Sequence, residues 1–190
     1  MENTYVACLN YNDPDKRLIM EDKFKFLDLK VKFCNGVKSK DRLTSIKEGH
    51  CKMIKWFLQS SKDYLLVFED DVVIHKDFKN KFNQMMKKNK KCDLILLGYL
   101  TNTSNLTSLK DLWGTQCYCI NREYATWFLD EYNFFDDNVG MDSLITKKGK
   151  DIYVVYPPLV IEDGKSIYEL QCQQNFHDEC HKFCMTEDFI

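Results

Sequence analysis

The chain has 190 residues, 44% hydrophobic and 14% aromatic, enough for one domain with a substantial core. A formal net charge of −2 argues against a nucleic-acid binder, because phosphate contacts need a clustered cationic excess. No apolar run approaches the ~18 residues that span a bilayer, Met1-Glu2-Asn3-Thr4 lacks a basic segment followed by an apolar one, and nine scattered cysteines suit a reducing compartment, so a cytoplasmic location without signal peptide or membrane span is expected.

Tyr5-Val6-Ala7-Cys8-Leu9-Asn10 is an apolar run closed by Tyr11-Asn12-Asp13-Pro14-Asp15, which reads as a buried strand and a turn. Lys16 to Leu29 sets Leu18, Ile19, Met20, Phe24, Phe26 and Leu27 among charges and predicts an amphipathic helix. Leu29 to Cys34 alternates polar and apolar and stops at Asn35-Gly36, a second strand and turn. Strand, helix, strand in so short a span is a βαβ unit with parallel pairing. Ser45 to Ser60 carries an apolar stripe of Ile46, Met53, Ile54, Trp56, Phe57 and Leu58, and Ser45 with Glu48 has capping-box spacing.

That helix leads into Tyr64-Leu65-Leu66-Val67-Phe68-Glu69-Asp70-Asp71-Val72-Val73-Ile74, read as one strand buried on both faces and running through three carboxylates. Acids beside a core are costly unless neutralised. A divalent cation that prefers hard oxygen ligands, Mg²⁺ or Mn²⁺, answers that need; a solvated acidic turn is the plainer alternative.

Asp77 to Lys91 reads as a helix with Phe78, Phe82, Met85 and Met86 inward. Lys87, Lys88, Lys90 and Lys91, like Lys147, Lys148 and Lys150, read as solvated charge. Cys92 to Gly98 is another buried strand, and 99–112 is polar and without period, a length that marks a functional or mobile loop. It holds two glycosylation sequons, at Asn102 and Asn105, which matter only in a secretory compartment. Trp113 to Ile120 reads as a strand entered through Gly114, and Asn121-Arg122-Glu123 caps a helix to Tyr132. A loop to Gly140 precedes a short helix from Met141, Ile152 to Tyr156 is a strand stopped by Pro157-Pro158, and 159–190 reads as a polar tail with scattered apolar anchors. The alternation predicts a single α/β domain with a mostly parallel central sheet flanked by helices.

No Gly-rich dinucleotide loop, P-loop or nucleophile elbow is present, which disfavours nicotinamide oxidoreductases, P-loop enzymes and α/β-hydrolases. What remains is a site where a metal holds a diphosphate and neutralises the charge on a departing nucleoside diphosphate.

Several segments in order, Leu65 to Val72, Asp93 to Gly98, Gly114 to Ala125, Asp142 and Tyr156-Pro157-Pro158-Leu159, resemble glycosyltransferase family 25. That family includes lipopolysaccharide-biosynthesis glycosyltransferases, procollagen galactosyltransferases and small viral members. Leu9-Asn10 followed by Arg17 is similar to the family's first strand and arginine, and Glu69-Asp70-Asp71 after an apolar strand is the most specific part. The resemblance implies a GT-A fold over residues 1–190: a nucleotide-sugar half at 1–98, an acceptor half at 99–165 and a tail at 166–190. It implies a nucleoside-diphosphate sugar donor, a UDP-sugar first, and transfer of a hexose to a glycan or glycoprotein acceptor with Mn²⁺ (or Mg²⁺). For a viral member the location is the host cytoplasm.

Carried over by residue, Asp71 is the first candidate for the metal ligand, Glu69 is the analogue of the first acid, which faces the ribose or the metal shell, and Asp70 comes second among the cofactor-binding acids. Asn10, Tyr11, Asn12 and Arg17 fall where base and ribose sit in such a fold, and Gly114 and Thr115 where the donor sugar sits. The chain departs from the family before the acids, where Cys51-Lys52 replaces a usual Ser-His pair. If the reaction inverts the anomeric carbon, a carboxylate must take the acceptor's proton. Asp142 is the candidate base, with Asp136 and Asp137 as alternatives and an inert helix cap as the other reading of Asp142.

Cys172, His177, Cys180, His181 and Cys184 crowd the tail. They read as incidental, as a structural zinc site, or as the source of a histidine, His177 or His181, that completes the Mn²⁺ shell. A nucleotidyltransferase or metal-dependent phosphohydrolase is the enzymatic alternative. A zinc-stabilised interaction domain is the non-enzymatic one.

Overall fold

The computed structural model describes residues 1–89, 91–101, 112–132, 139–146, 151–163 and 171–190. Asp136, Asp137, both sequons, Lys90, Lys147, Lys148, Lys150 and the Cys172 side chain lie outside the described residues.

The chain opens with β1 (Thr4–Asn10), whose Ala7, Cys8 and Leu9 are fully buried. Helix α1 (Pro14–Phe26) starts where the Asp13 carboxylate accepts the N–H groups of Asp15 and Lys16, and Pro14 takes the first helical position, where no N–H is needed. Strand β2 (Lys32–Asn35) follows. Helix α2 (Arg42–Leu58) is capped by Asp41, which accepts the Thr44 N–H at 2.8 Å and the Thr44 hydroxyl at 2.8 Å. The expected Ser45–Glu48 box does not form: the nearer carboxylate of Asp41 takes the orphan N–H, and Ser45 donates to the Asp41 carbonyl instead.

The acidic run is two strands, not one. Strand β3 (Tyr64–Glu69) ends at the first acid, and β4 (Val72–Ile74) restarts after Asp71. Helix α3 (Phe78–Lys88), β5 (Leu94–Leu100), β6 (Trp113–Asn121), α4 (Arg122–Glu131), α5 (Met141–Thr146) and β7 (Ile152–Val154) follow. The supposed polar tail supplies β8 (Val160–Glu162) and α6 (Gln171–Cys184). Its apolar residues are few but well placed: Val160 and Ile161 are fully buried, and Cys180 and Cys184 pack with Leu100 and Ile161.

The strand order is β2-β1-β3-β6-β5-β8-β4, with β7 also paired to β5. The pairs β1–β2, β1–β3, β5–β7 and β5–β8 are parallel, while β3–β6, β5–β6 and β4–β8 are antiparallel, so the helix-flanked α/β sheet is mixed. Side chains alternate between two cores. Ala7, Leu9, Leu65, Val67, Tyr118 and Ile120 face α2, α4 and α5, and Val6, Cys8, Leu66, Phe68, Cys117 and Cys119 face α1 and α3.

The sheet cannot be flat. Three strands separate β3 from β4 in the path, a gap of ~19 Å at ordinary strand spacing. Yet Glu69 and Val72 are three backbone steps apart, ~11 Å at full stretch. The sheet therefore curls until β4 returns beside the end of β3. Register shifts between β5 and β6 around Gly98 assist the bend. A Cβ at Gly98 would lie 2.8 Å from the Val160 Cβ and 2.9 Å from the Cys117 nitrogen, so only glycine lets these strands approach.

Candidate functional site

Because β1 and β3 are parallel, Asn10 and Glu69 emerge at one edge of the sheet. Antiparallel β6 starts at that edge and presents Gly114, Thr115 and Gln116. The curl brings the end of β8 there as well: Glu162 is the partner of Val72, and the Asp163 N–H donates to the Asp71 carbonyl at 2.7 Å. The site thus lies in the crevice beyond the carboxyl ends of parallel strands.

The three acids do different things. Asp70 is buried, and its Oδ2 accepts the Asn10 side-chain amide at 2.7 Å and the Tyr11 N–H at 3.0 Å. It fixes the turn in which Asn12 adopts φ 62 and the Tyr11 ring lies against Gly36, where a Cβ would come within 2.9 Å. Burial raises the Asp70 carboxyl above its ordinary range.

Glu69 points to the other face. Its Oε1 accepts the Thr115 hydroxyl at 2.9 Å and lies 3.6 Å from the His50 Nε2. Burial opposes its ionisation, but His50 and Thr115 outweigh that and hold it below the ordinary glutamate range.

Asp71 is pushed up to about 7, by burial first and then by repulsion from Glu69 and Glu162. Two cations flank the group. The Lys16 Nζ is 3.6 Å from Asp71 Oδ2 and 3.8 Å from Asp70 Oδ1. Burial works against its charge, but Asp71 and Asp70 hold its ammonium above the usual lysine range. Arg42, at the start of α2, acts electrostatically on Glu69 and Tyr11.

On the far side of the mouth, Gly114 has φ 82, and its N–H donates to Asp142 Oδ2 at 3.0 Å. The other Asp142 oxygen accepts the Ser143 N–H at 2.7 Å. Gln116 donates to Glu162 Oε2 at 3.2 Å. Asp142 thus shapes the Gly114 turn and sits inside the first turn of α5 rather than capping it.

The structure gathers Asn10, Tyr11, Asn12, Glu69, Asp70, Asp71, Gly114, Thr115 and Asp142 around one edge of the sheet. Arg17 it places elsewhere: its guanidinium pairs with Glu21 at 2.9 Å, lies over Phe33 and lines a groove between α1 and β2. Lys16, one position earlier on the helix, takes the side facing the acids.

His177 is buried on α6, with its Nδ1 3.2 Å from Asp178 and its ring 4.0 Å from that of His181. What links α6 to the mouth is His181, whose Nε2 donates to the Glu162 carbonyl at 2.6 Å. Cys180 points its thiol at the Tyr99 carbonyl, 3.6 Å away. Among the described residues no three His, Cys, Asp or Glu side chains gather into a metal cage, in the tail or at the acids.

Lys16, His50, Tyr118, Gln116 and Glu162 are the participants that the reading by pattern missed. Glu162 had a signal: Val160-Ile161-Glu162-Asp163 repeats in brief the apolar run into acids at Phe68 to Asp71. His50 lies on the helical face of Met53, Ile54 and Phe57 and gives no chemical signal until the fold places Glu69 beside it.

No protein-family model matches the sequence, and no curated protein matches it. Among solved structures, the chain is similar to a glycosyltransferase involved in the glycosylation of the major capsid of PBCV-1, at TM-score 0.54 and 9% identity over 93% of this chain and 98% of that one. It is also similar to mannose-1-phosphate geranyltransferase from Thermus thermophilus, at TM-score 0.52 and 8% identity over 80% of this chain and 73% of that one. At such identities the likeness is one of fold, and the fold is the Rossmann-like α/β arrangement of the GT-A class.

Proposed function

We propose that the chain is a nucleotide-sugar-dependent glycosyltransferase, one that moves a hexose from a UDP-sugar to a glycan or glycoprotein acceptor. The observation that carries the reading is the electrostatics at the end of β3. The fold brings Glu69, Asp71 and Glu162 together at the very edge where α/β sheets take ligands, and burial with repulsion from Glu69 and Glu162 pushes the Asp71 carboxyl up to about 7. The donor set suits Mn²⁺ or Mg²⁺, because it is all oxygen. Asp71, with Glu69 or Glu162, would hold the ion, which would supply charge neutralisation for the departing diphosphate.

The chain's own residues do the rest. Asp70 fixes the Tyr11 turn so that its ring can stack on the donor base. Lys16 and Arg42 offer positive charge to the phosphates. Asp142 holds the Gly114 turn beside the donor sugar and, if the reaction inverts, takes the acceptor proton.

Thermal stability measured with UDP-, GDP- and TDP-sugars, with and without Mn²⁺, tests the reading. A donor at 100 times its Kd stabilises by about 2.7 kcal/mol. Stabilisation by a nucleotide sugar and Mn²⁺ together, lost in Asp71→Ala, supports it; no response to any of them overturns it. A nucleotidyltransferase is the second reading, since clustered acids at a sheet edge serve that chemistry as well. It predicts pyrophosphate release from a nucleoside triphosphate and a sugar phosphate, where a glycosyltransferase releases nucleoside diphosphate.

A further inference from the structure

His50 is wholly buried, in the middle of α2, behind the acids. Its neighbour Gly49 explains how it gets there. A Cβ at Gly49 would lie 2.7 Å from the Leu9 Cδ1, so glycine lets the helix press against β1. The His50 ring stacks on that of Tyr118, which is also wholly buried, at 5.6 Å between centroids and 25° between planes. The His50 Nδ1 is 2.9 Å from the Tyr118 hydroxyl oxygen. The other ring nitrogen, Nε2, has no hydrogen-bond partner among the described residues and faces Glu69 Oε1 across 3.6 Å. That is too long for a hydrogen bond and less than 1 Å from being one.

Hydrogen-bond chemistry selects one arrangement. Ionised Glu69 only accepts, so a bare Nε2 would set lone pair against carboxylate. With the proton on Nε2, the ring donates toward Glu69 and Nδ1 is left to accept from Tyr118. The buried phenol then also has an acceptor for its hydrogen. The opposite tautomer leaves the tyrosine proton without one among the described residues and turns two acceptors on each other. Thr115 already donates to the same Glu69 oxygen, Oε1. Both neighbours therefore hold one oxygen, and among the described residues Oε2 receives neither.

We infer that His50 is a positioning residue: Tyr118 fixes its tautomer, and its Nε2–H, with the Thr115 hydroxyl, holds Glu69 so that Oε2 is turned to the nucleotide-sugar donor. This rests on the transferase reading for the donor, but not for the His50–Glu69 contact. In the complex the 3.6 Å contact closes to a hydrogen bond, as loose contacts in unliganded sites do.

Two measurements test it on the full chain. Nitrogen-15 NMR of the imidazoles, with His50 assigned through His50→Gln, reads the tautomer without any ligand. The expected pattern is a protonated Nε2 and a bare Nδ1, with the bare form lost or mixed in Tyr118→Phe. A protonated Nδ1, alone or with Nε2, overturns the inference.

Donor binding and turnover are then compared in Tyr118→Phe, His50→Gln and His50→Leu, each first shown to melt cooperatively. Loss of a supporting partner of this kind costs ~10–100-fold. We expect that loss in kcat/KM for His50→Leu, a smaller loss for Tyr118→Phe, and partial rescue in His50→Gln, whose amide can still donate. Folded variants with wild-type KM and kcat overturn the positioning role. If wild-type protein takes no nucleotide sugar at all, the transferase reading and the donor-facing part of this inference both fall, and the imidazole spectrum alone decides whether His50 holds Glu69.

Discussion

The backbone N–H of Asp163 donates to the backbone carbonyl of Asp71 at 2.7 Å, which ties the end of β8 to the turn that carries the acids. Two acidic stretches far apart in sequence are thereby held edge to edge. Their mutual repulsion is a stored cost that a bound cation would relieve.

That cost has a pH signature. Asp71 moves from an ordinary 3.8 to about 7 in the folded chain. Between those values the folded state keeps a proton that the unfolded state has lost, so the stability this group contributes is full at low pH and falls away as pH rises. Asp71→Asn removes the effect. In metal-free buffer the variant should gain on wild type as pH goes from about 4 to about 7. The gain should be about 1–2 kcal/mol after allowance for partial exposure, roughly 2–8 °C in Tm. Paired thermal melts across that range check it, and a constant gap would show that Asp71 carries no such cost.

Asp142 holds the Gly114 N–H through one oxygen and is also the candidate base. The two roles separate by substitution. Asp142→Asn keeps an acceptor for Gly114 and loses basicity, so stability should stay within ~0.5 kcal/mol of wild type while transfer to acceptor falls ~10²–10⁴-fold. Asp142→Ala should lose both. Single-turnover transfer beside thermal melts distinguishes them, and near-normal transfer in Asp142→Asn would leave Asp142 a shaping role only.

Gly114 has φ 82, and a Cβ there would lie 2.3 Å from the Gln116 amide nitrogen. Gln116 in turn donates to Glu162. Gly114→Ala therefore strains the turn and displaces the amide that steadies Glu162. We expect a loss of about 1–3 kcal/mol together with a raised donor KM, read by denaturant unfolding and initial-rate kinetics.

Asp41 caps the helix that carries Arg42 and His50. Asp41→Ala should lower the Tm measurably, because the Thr44 N–H loses its cap, while Ser45→Ala should lower it less, because Ser45 does not accept that N–H. Melts of the two variants side by side test the assignment.

Much of this architecture was legible in the residues. Tyr5 to Leu9 and Tyr64 to Phe68 are too apolar to face water on either side, and the structure divides their side chains between two cores by simple alternation. The acids at the end of the second run marked the mouth. What pattern could not show was where the run breaks, because β4 takes its partner from β8, far along the chain, and no local signal encodes that pairing. The same distance hid α6 and the Glu162 contribution. His50 was hidden for another reason: on its own helix it is one more buried side chain, and only the packing of α2 against the sheet gives it Glu69 as a neighbour.

The two-residue link between β3 and β4 is also a mechanical part. Asp70 and Asp71 fasten a rolled sheet, as a clasp fastens a bracelet, and they do so at the mouth itself. Widening the mouth by moving β4 and β8 away from β3 would pull directly on this clasp, with little slack to give. The acids are therefore kept in a nearly fixed frame. Inserting a single glycine between Asp70 and Asp71 would loosen the fastening while keeping every side chain of the chain, which makes the stiffness of the clasp a quantity that can be varied on its own.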